Sequence, residues 1–280
     1  MFFNSRILIG AALALGISGL FASSACSQPK VKCITARGDF AAKFTLKSGT
    51  GACAELKGDT IGFQSYNPTG GPNGTPDFSK ASVAIVMGTL GNYQARAEQG
   101  DTDVDAEGKP VVKTDPNPDH HTYSLGDFTT ADPADDGFCT VSTTTAAEQV
   151  LPEIKEIPAD PDNEVDAVPG QPAISAKVEW ANVRVFVNAN AIGTQFSADL
   201  KYSENGCTAE YSVYGLYPAH SCENAKGELD DAECSPVADP DAGRRFGSGI
   251  NPDFPVACDK DLKVCMITSA PPAFKPGVEK

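Results

Sequence analysis

The residues that could carry chemistry are a run of alternating carboxylates, three histidines, nine cysteines and a few aromatics set beside cations. In Asp101-x-Asp103-x-Asp105-x-Glu107-Gly108 the oxygen donors recur at every second position, the kind of set that Ca²⁺ takes. An EF-hand loop beginning at Asp101 needs glycine at its sixth place and glutamate at its twelfth, and Ala106 and Val112 stand there. The run therefore reads as a solvated acidic loop, with an exported calcium-binding β domain as the alternative. His120 and His121 follow Asp119, but side chains of adjacent residues point apart, so a shared metal is not expected. His220, near Cys222, reads as a packing or surface residue. The chain has no Gly-x-Ser-x-Gly elbow, no His-Glu-x-x-His pair and no phosphate-binding glycine loop. No catalytic residue and no cofactor is assigned, and the chain is read as a non-enzyme. An extracellular hydrolase with an unrecognised site is the remaining alternative.

The cysteines say more. Residues 1–25 carry one cation, Arg6, then the apolar run Ile7–Phe21, then Ala22-Ser23-Ser24-Ala25 directly before Cys26. A charged start, a short apolar stretch and small residues form a secretory signal peptide, and the stretch is shorter than the ~20 residues a retained span needs. Ser24-Ala25-Cys26 resembles the lipobox of bacterial lipoproteins. That resemblance implies diacylation of the Cys26 sulfur, removal of the signal and a lipid anchor in the cell envelope, with secretion as the alternative. The body, above all Gly193–Leu216, is similar to lipoproteins of Gram-negative bacteria, a likeness that brings no known chemistry with it.

Assigning Cys26 to lipid leaves Cys33, Cys53, Cys139, Cys207, Cys222, Cys234, Cys258 and Cys265, an even set for disulfides in an oxidising compartment. No Cys-x-x-Cys pair supports zinc instead. A hairpin over Asp259–Val264 sets Cys258 opposite Cys265, and Cys222 and Cys234 bracket a polar loop, so both pairs could close locally. Cys207 and Cys222 should not pair, because a strand over Cys207–Tyr217 separates its ends by ~33 Å. Elimination then leaves Cys139–Cys207 and Cys33–Cys53.

These residues must be held by β structure. Thr194–Tyr202 alternates strictly, with Thr194, Phe196, Ala198, Leu200 and Tyr202 on one face, and Asn205-Gly206 is a two-residue hairpin turn. That turn sets Tyr202 against Ala209, Leu200 against Tyr211, Ala198 against Val213 and Phe196 against Gly215, with Lys201 beside Glu210 outside. Upstream, Ala181, Val183, Val185 and Val187 form another apolar face, and a turn at Asn190-Ala191 sets Val185 against Phe196. Phe40–Leu46 is a further strand. Thr60–Tyr66, Ser82–Leu90, Tyr123–Phe128, Cys139–Thr145 and Val264–Thr268 carry weaker patterns. About nine strands and no evident helix predict an all-β antiparallel sandwich of Greek-key type, or else a β-barrel. Ala97–His121 and Glu148–Pro172, rich in acid and proline, read as flexible insertions within one domain spanning residues 26–280. Arg37-Gly38-Asp39 reads as a turn before a strand.

Charge narrows the partners. With 22 Lys+Arg against 37 Asp+Glu the net charge is −15, which argues against nucleic acid and against a basic membrane-surface binder. The outward face of the three-strand meander is the candidate binding surface: Trp180 beside Lys201, Arg184 beside Ser197 and Tyr214, Phe186 beside Gln195 and Leu216. Trp180, Arg184, Phe186 and Tyr214 would contact an envelope protein or a glycan, unless a second layer covers them.

Overall fold

The computed structural model describes residues 30–100, 102–104, 110–112, 120–153, 170 and 172–278. The predicted signal peptide, Cys26, most of the Asp101–Gly108 run and most of both acidic segments lie outside the described residues.

Thirteen strands and one α-helix are described: β1 (Gly38–Gly49), β2 (Gly58–Tyr66), β3 (Ser82–Met87), α1 (Gly88–Gly100), β4 (Thr102–Val104), β5 (Pro110–Val112), β6 (Tyr123–Asp127), β7 (Phe138–Thr140), β8 (Ala147–Leu151), β9 (Ile174–Val187), β10 (Ile192–Glu204), β11 (Cys207–Leu216), β12 (Val256–Asp259) and β13 (Val264–Ile267). Nine of the strands form one antiparallel sheet in the order β6-β3-β2-β1-β11-β10-β9-β7, with β8 also on β9. The helix departs from the expectation of none. The strand pattern of Ser82–Leu90 stops at Met87, where Gly88 turns the chain and Thr89 donates from N and Oγ1 to Asp59 at 2.8 Å each. Burial raises the Asp59 carboxyl above its ordinary range, and the Thr89 and Thr60 donors pull it back. Likewise Ala147–Leu151 is strand, although part of it fell inside the predicted acidic insertion. No described helix is long and apolar enough to cross a membrane.

The β10–β11 hairpin follows the hydrophobic pattern. Tyr202 faces Ala209, Leu200 faces Tyr211, Phe196 faces Gly215 and Lys201 faces Glu210, around Asn205 (φ 48°) and Gly206 (φ 88°). Gly215 is required there, because a Cβ would lie 2.1 Å from the Phe196 ring. β9 begins in the expected register, with Val185 on Phe196 and Arg184 on Ser197. It then shifts by one residue, so that Ala181 faces Asp199 and Trp180 faces Leu200. The extra residue sits at a bulge where Asn182 takes φ 50° and its amide donates to Asp199 at 2.7 Å.

The sheet is strongly curled. β2 and β10 stand three strand spacings apart along it, about 14 Å if it were flat. Yet Phe63 of β2 and Phe196 of β10 have ring centroids 4.7 Å apart, with Phe40 of β1 at 4.9 and 5.6 Å from them. The two halves thus pack face to face over one core, the two layers of a sandwich. The ladder does not close into a barrel. The edges meet through an irregular stretch in which Ser142 N donates to Asp127 O, Thr145 N to Leu125 O and Val141 N to Val183 O.

Four disulfides use the eight cysteines after Cys26, as expected, but every proposed pairing is wrong. The bonds are Cys33–Cys139, Cys53–Cys207, Cys222–Cys258 and Cys234–Cys265. The β12–β13 hairpin does set Cys258 opposite Cys265. Each nevertheless bonds to the 218–255 loop, whose ends the hairpin's own ladder cannot restrain. Cys207 and Cys222 are not bonded to each other, as strand length required.

Candidate functional site

The proposed aromatic face is not a surface. The bulge at Asn182 turns Trp180 into the main core, where it is 3% exposed beneath Leu200. A one-residue shift moves a side chain to the opposite face, and β9 carries its trace, since its apolar residues stand at even positions from Ile174 to Trp180 and at odd ones from Val183 to Val187. Above the bulge the parity is as predicted, but the C-terminal segment lies over it. Phe186 is buried against Phe138 and Phe274 at 5.3 and 5.7 Å, and Leu216 is fully buried in the same second cluster. Gln195, between them, exchanges two hydrogen bonds with the Ala273 backbone. Arg184 holds Asp136 at 2.5 Å and stacks 4.0 Å over Phe138, and Tyr214 is half-buried against the second cluster. The four residues are therefore split between two cores, and they form no common binding face. The β12–β13 hairpin is fixed over β1 by Asp259, which accepts from Lys43 at 2.7 Å. Burial opposes the Asp259 charge, but the Lys43 ammonium and the Leu262 and Asp261 amides hold its carboxyl below the usual range.

The other half of the sheet has no such cover among the described residues. Strand pairing lays its outward residues in rows: Asp39–Gly62–Val86–Tyr123, then Gln64–Ala84–Leu125, then Tyr66–Ser82–Asp127. Small residues occupy the middle, because Gly62 and Ala84 contribute little bulk, while Tyr66, Tyr123 and Leu125 stand 46, 37 and 40% exposed around them. The result is a groove of about 780 Å³, with Arg37 and Asp39 on one bank and Tyr123 and Leu125 on the other. Four residues along β3 and two strand spacings across it separate Tyr66 from Tyr123, about 16 Å on the diagonal. The groove offers flat rings, a guanidinium, a carboxylate and the Gln64 amide. No group of three or more metal-ligating side chains is found among the described residues. His121 stacks on Tyr123 at 4.9 Å, and His120 lies 3.6 Å from Glu148.

Sequence reading found β2, β3 and β6 singly but not this groove. The signal was present in the outward set Thr60, Gly62, Gln64 and Tyr66 and in Arg37 and Asp39, which read as a turn. What was missing was the pairing of β3 with β6 across 35 residues of chain.

The fold defines a disulfide-stapled, antiparallel β protein with an open groove on one outer face. The family described as MlpA matches residues 38–218, from the first residue of β1 to just past β11, and the chain belongs to this family. A Myxococcus xanthus protein named "Putative lipoprotein MlpA" is 33% identical over 135 residues, 48% of this chain and 46% of the relative. The chain thus spans about half the length of the curated relative it matches. No solved structure matches. The likeness to lipoproteins of Gram-negative bacteria read from the sequence holds at the level of the family.

Proposed function

We propose that this chain is a non-enzymatic lipoprotein of the cell envelope, anchored by acyl chains on Cys26, that binds an envelope glycan in the β1–β2–β3–β6 groove. The observation that carries the reading is the contrast between the two outer faces of one sheet. The end of the β9–β11 face around Phe186 and Leu216 is covered by the C-terminal segment and its other end carries the charged Glu179, Lys201 and Glu210, while the groove keeps two tyrosines and a leucine exposed around a floor of small residues. A sugar's apolar face stacks on exposed rings, and its hydroxyls match carboxylate, amide and guanidinium partners. The net charge of −15 favours a neutral or cationic ligand over an acidic one. The relative's name supports the anchor.

The anchor is tested by Cys26→Ser with intact-mass analysis of the native protein. The wild-type mass should include acyl chains at Cys26, and the variant should leave the membrane fraction. Unchanged membrane association of the variant would overturn the anchor. The groove is tested by filling it. Gly62 has no positive φ, and a Cβ there meets only Asp39 and Val86 at 3.7 Å or more, so Gly62→Phe should fold and obstruct the floor. Titrated with soluble oligosaccharides released from the envelope, it should bind at least about tenfold more weakly, and Tyr66→Ala or Tyr123→Ala should each lose about 1 kcal/mol. Wild-type affinity in a folded Gly62→Phe variant would rule out the groove.

A further inference from the structure

The largest exposed apolar side chains lie elsewhere, on a short hairpin that no contact of the core explains. Ser248 N donates to Ser235 O, and Asp239 and Arg244 exchange two backbone hydrogen bonds at 2.8 and 2.9 Å. The same register sets Val237 opposite Phe246, and these are 69 and 84% exposed. The hairpin is not a loose loop. Its base is fixed by Cys234–Cys265 and by the Ser248 hydroxyl on Cys234 O at 3.0 Å, and Gly247 lets its strands approach where a Cβ would lie 1.9 Å from Pro236 O. Arg244 is paired with Asp239 at 3.2 Å, whereas the exposed Arg245, beside Phe246, has no ion-pair partner among the described residues.

Its place in the fold says what it faces. Asn251, five residues beyond Phe246, donates to Asn190 O at 2.6 Å, in the turn between β9 and β10. The N-terminal segment reaches the same turn, where Ala36 N donates to Gly193 O at 2.9 Å. From Val31, which packs on the main core, back to Cys26 is five residues, a tether of at most about 17 Å. Acyl chains on Cys26 would therefore keep Val31 within that length of the bilayer surface, and Asn251 ties the base of the hairpin to the turn beside which the N-terminal segment runs.

We infer that the Ser235–Ser248 hairpin is a second membrane contact, which seats Phe246 and Val237 at the headgroup boundary with Arg245 among the lipid phosphates. This rests on the anchor proposed above. An aromatic ring beside a free guanidinium suits an interface whose one side is apolar and whose other side is anionic and wet. The contact orients the protein: it fixes which way the groove faces, which a flexible tether alone does not do.

The test uses the full-length acylated protein with Phe246→Trp in vesicles of phosphatidylethanolamine with phosphatidylglycerol. Intact mass first reads the acyl chains, and flotation reads attachment. The buried Trp180 gives a constant signal, so the difference from wild-type protein reads the introduced indole. Its emission should shift to the blue on the vesicles, its quenching by acrylamide should fall by about threefold, and brominated lipid should quench it. In a separate variant, Tyr66→Trp, the indole placed in the groove should stay accessible. Floating, acylated protein in which the hairpin indole remains as quenchable as in solution overturns the hairpin contact and leaves the anchor standing. Protection of that indole only when envelope proteins are added also overturns it, in favour of a protein partner. A native protein without acyl chains overturns the anchor, and this inference with it.

Discussion

Replacing both cysteines of the Cys53–Cys207 bond by alanine should cost about 4–5 kcal/mol, the largest single loss expected from any change in this chain. The bond spans 154 residues, against 106, 36 and 31 for the other three. Bridging residues far apart in sequence removes most from the freedom of the unfolded chain. It also joins elements with few other ties, since the short helical turn Ala52–Glu55 is held at the start of β11 by this bond and by the Tyr211 hydroxyl, which donates to Cys53 O. Removing Cys222–Cys258 should cost less, just under about 4 kcal/mol, and should loosen mainly the C-terminal segment. Denaturant unfolding of the two double variants gives the order, and thiol labelling of denatured, unreduced protein should find none of the eight cysteines free. A Cys53→Ala, Cys207→Ala protein as stable as the wild type, or two or more labelled thiols, would overturn the pairing.

The pairing is also where sequence reading failed most clearly, and the reason is physical. That the eight cysteines after Cys26 bond to one another was legible by parity. Connectivity depends on which segments lie side by side, and a curled sheet brings together residues that no local pattern connects. Cys33 meets Cys139 because the N-terminal segment crosses to β7, where Cys33 N also donates to Ala131 O. Local closure was the wrong prior for Cys258 and Cys265. Being opposite on a hairpin placed both within reach of each other, yet a bond there would only restrain strands that the ladder already holds. By contrast, the β10–β11 register was legible to the residue, because alternation and the Asn205-Gly206 turn both specify it.

The groove was illegible for a related reason. Its floor needs Gly62 and Ala84 as diagonal neighbours on β2 and β3, and its far bank needs β6, which reaches β3 only after α1 and the acidic segment. Outward residues of weak strands look alike until their neighbours are known. Aromatics on strong strands attracted attention, although the strongest strands lie at the middle of the sheet, where a second layer is needed to bury them. Phe186 and Leu216 were therefore poor candidates for exposure, and Tyr66 and Tyr123, toward the β6 edge, were better ones.

Trp180→Ala should destabilise the protein by about 3–5 kcal/mol, as removal of a large buried ring does. As the chain's only tryptophan it reports its own surroundings: wild-type emission should be blue and shielded from acrylamide. A second variant separates packing from polarity. The indole Nε1 is buried without a hydrogen-bond partner, so Trp180→Phe removes an unpaired donor and leaves most of the ring in place. It should therefore cost well under half of what alanine costs. The cause of this burial is the bulge, and it can be tested directly. Asn182→Gly should be tolerated, because the φ of 50° suits glycine, although the 2.7 Å bond to Asp199 is lost. Deleting Asn182 removes the extra residue and leaves a regular ladder in which Ala181 still faces Asp199 and Trp180 still faces Leu200 in the core. The deletion should thus cost less than Trp180→Ala and should keep the emission blue. A folded deletion variant with red, quenchable emission would show that Asn182 is not the residue the bulge absorbs.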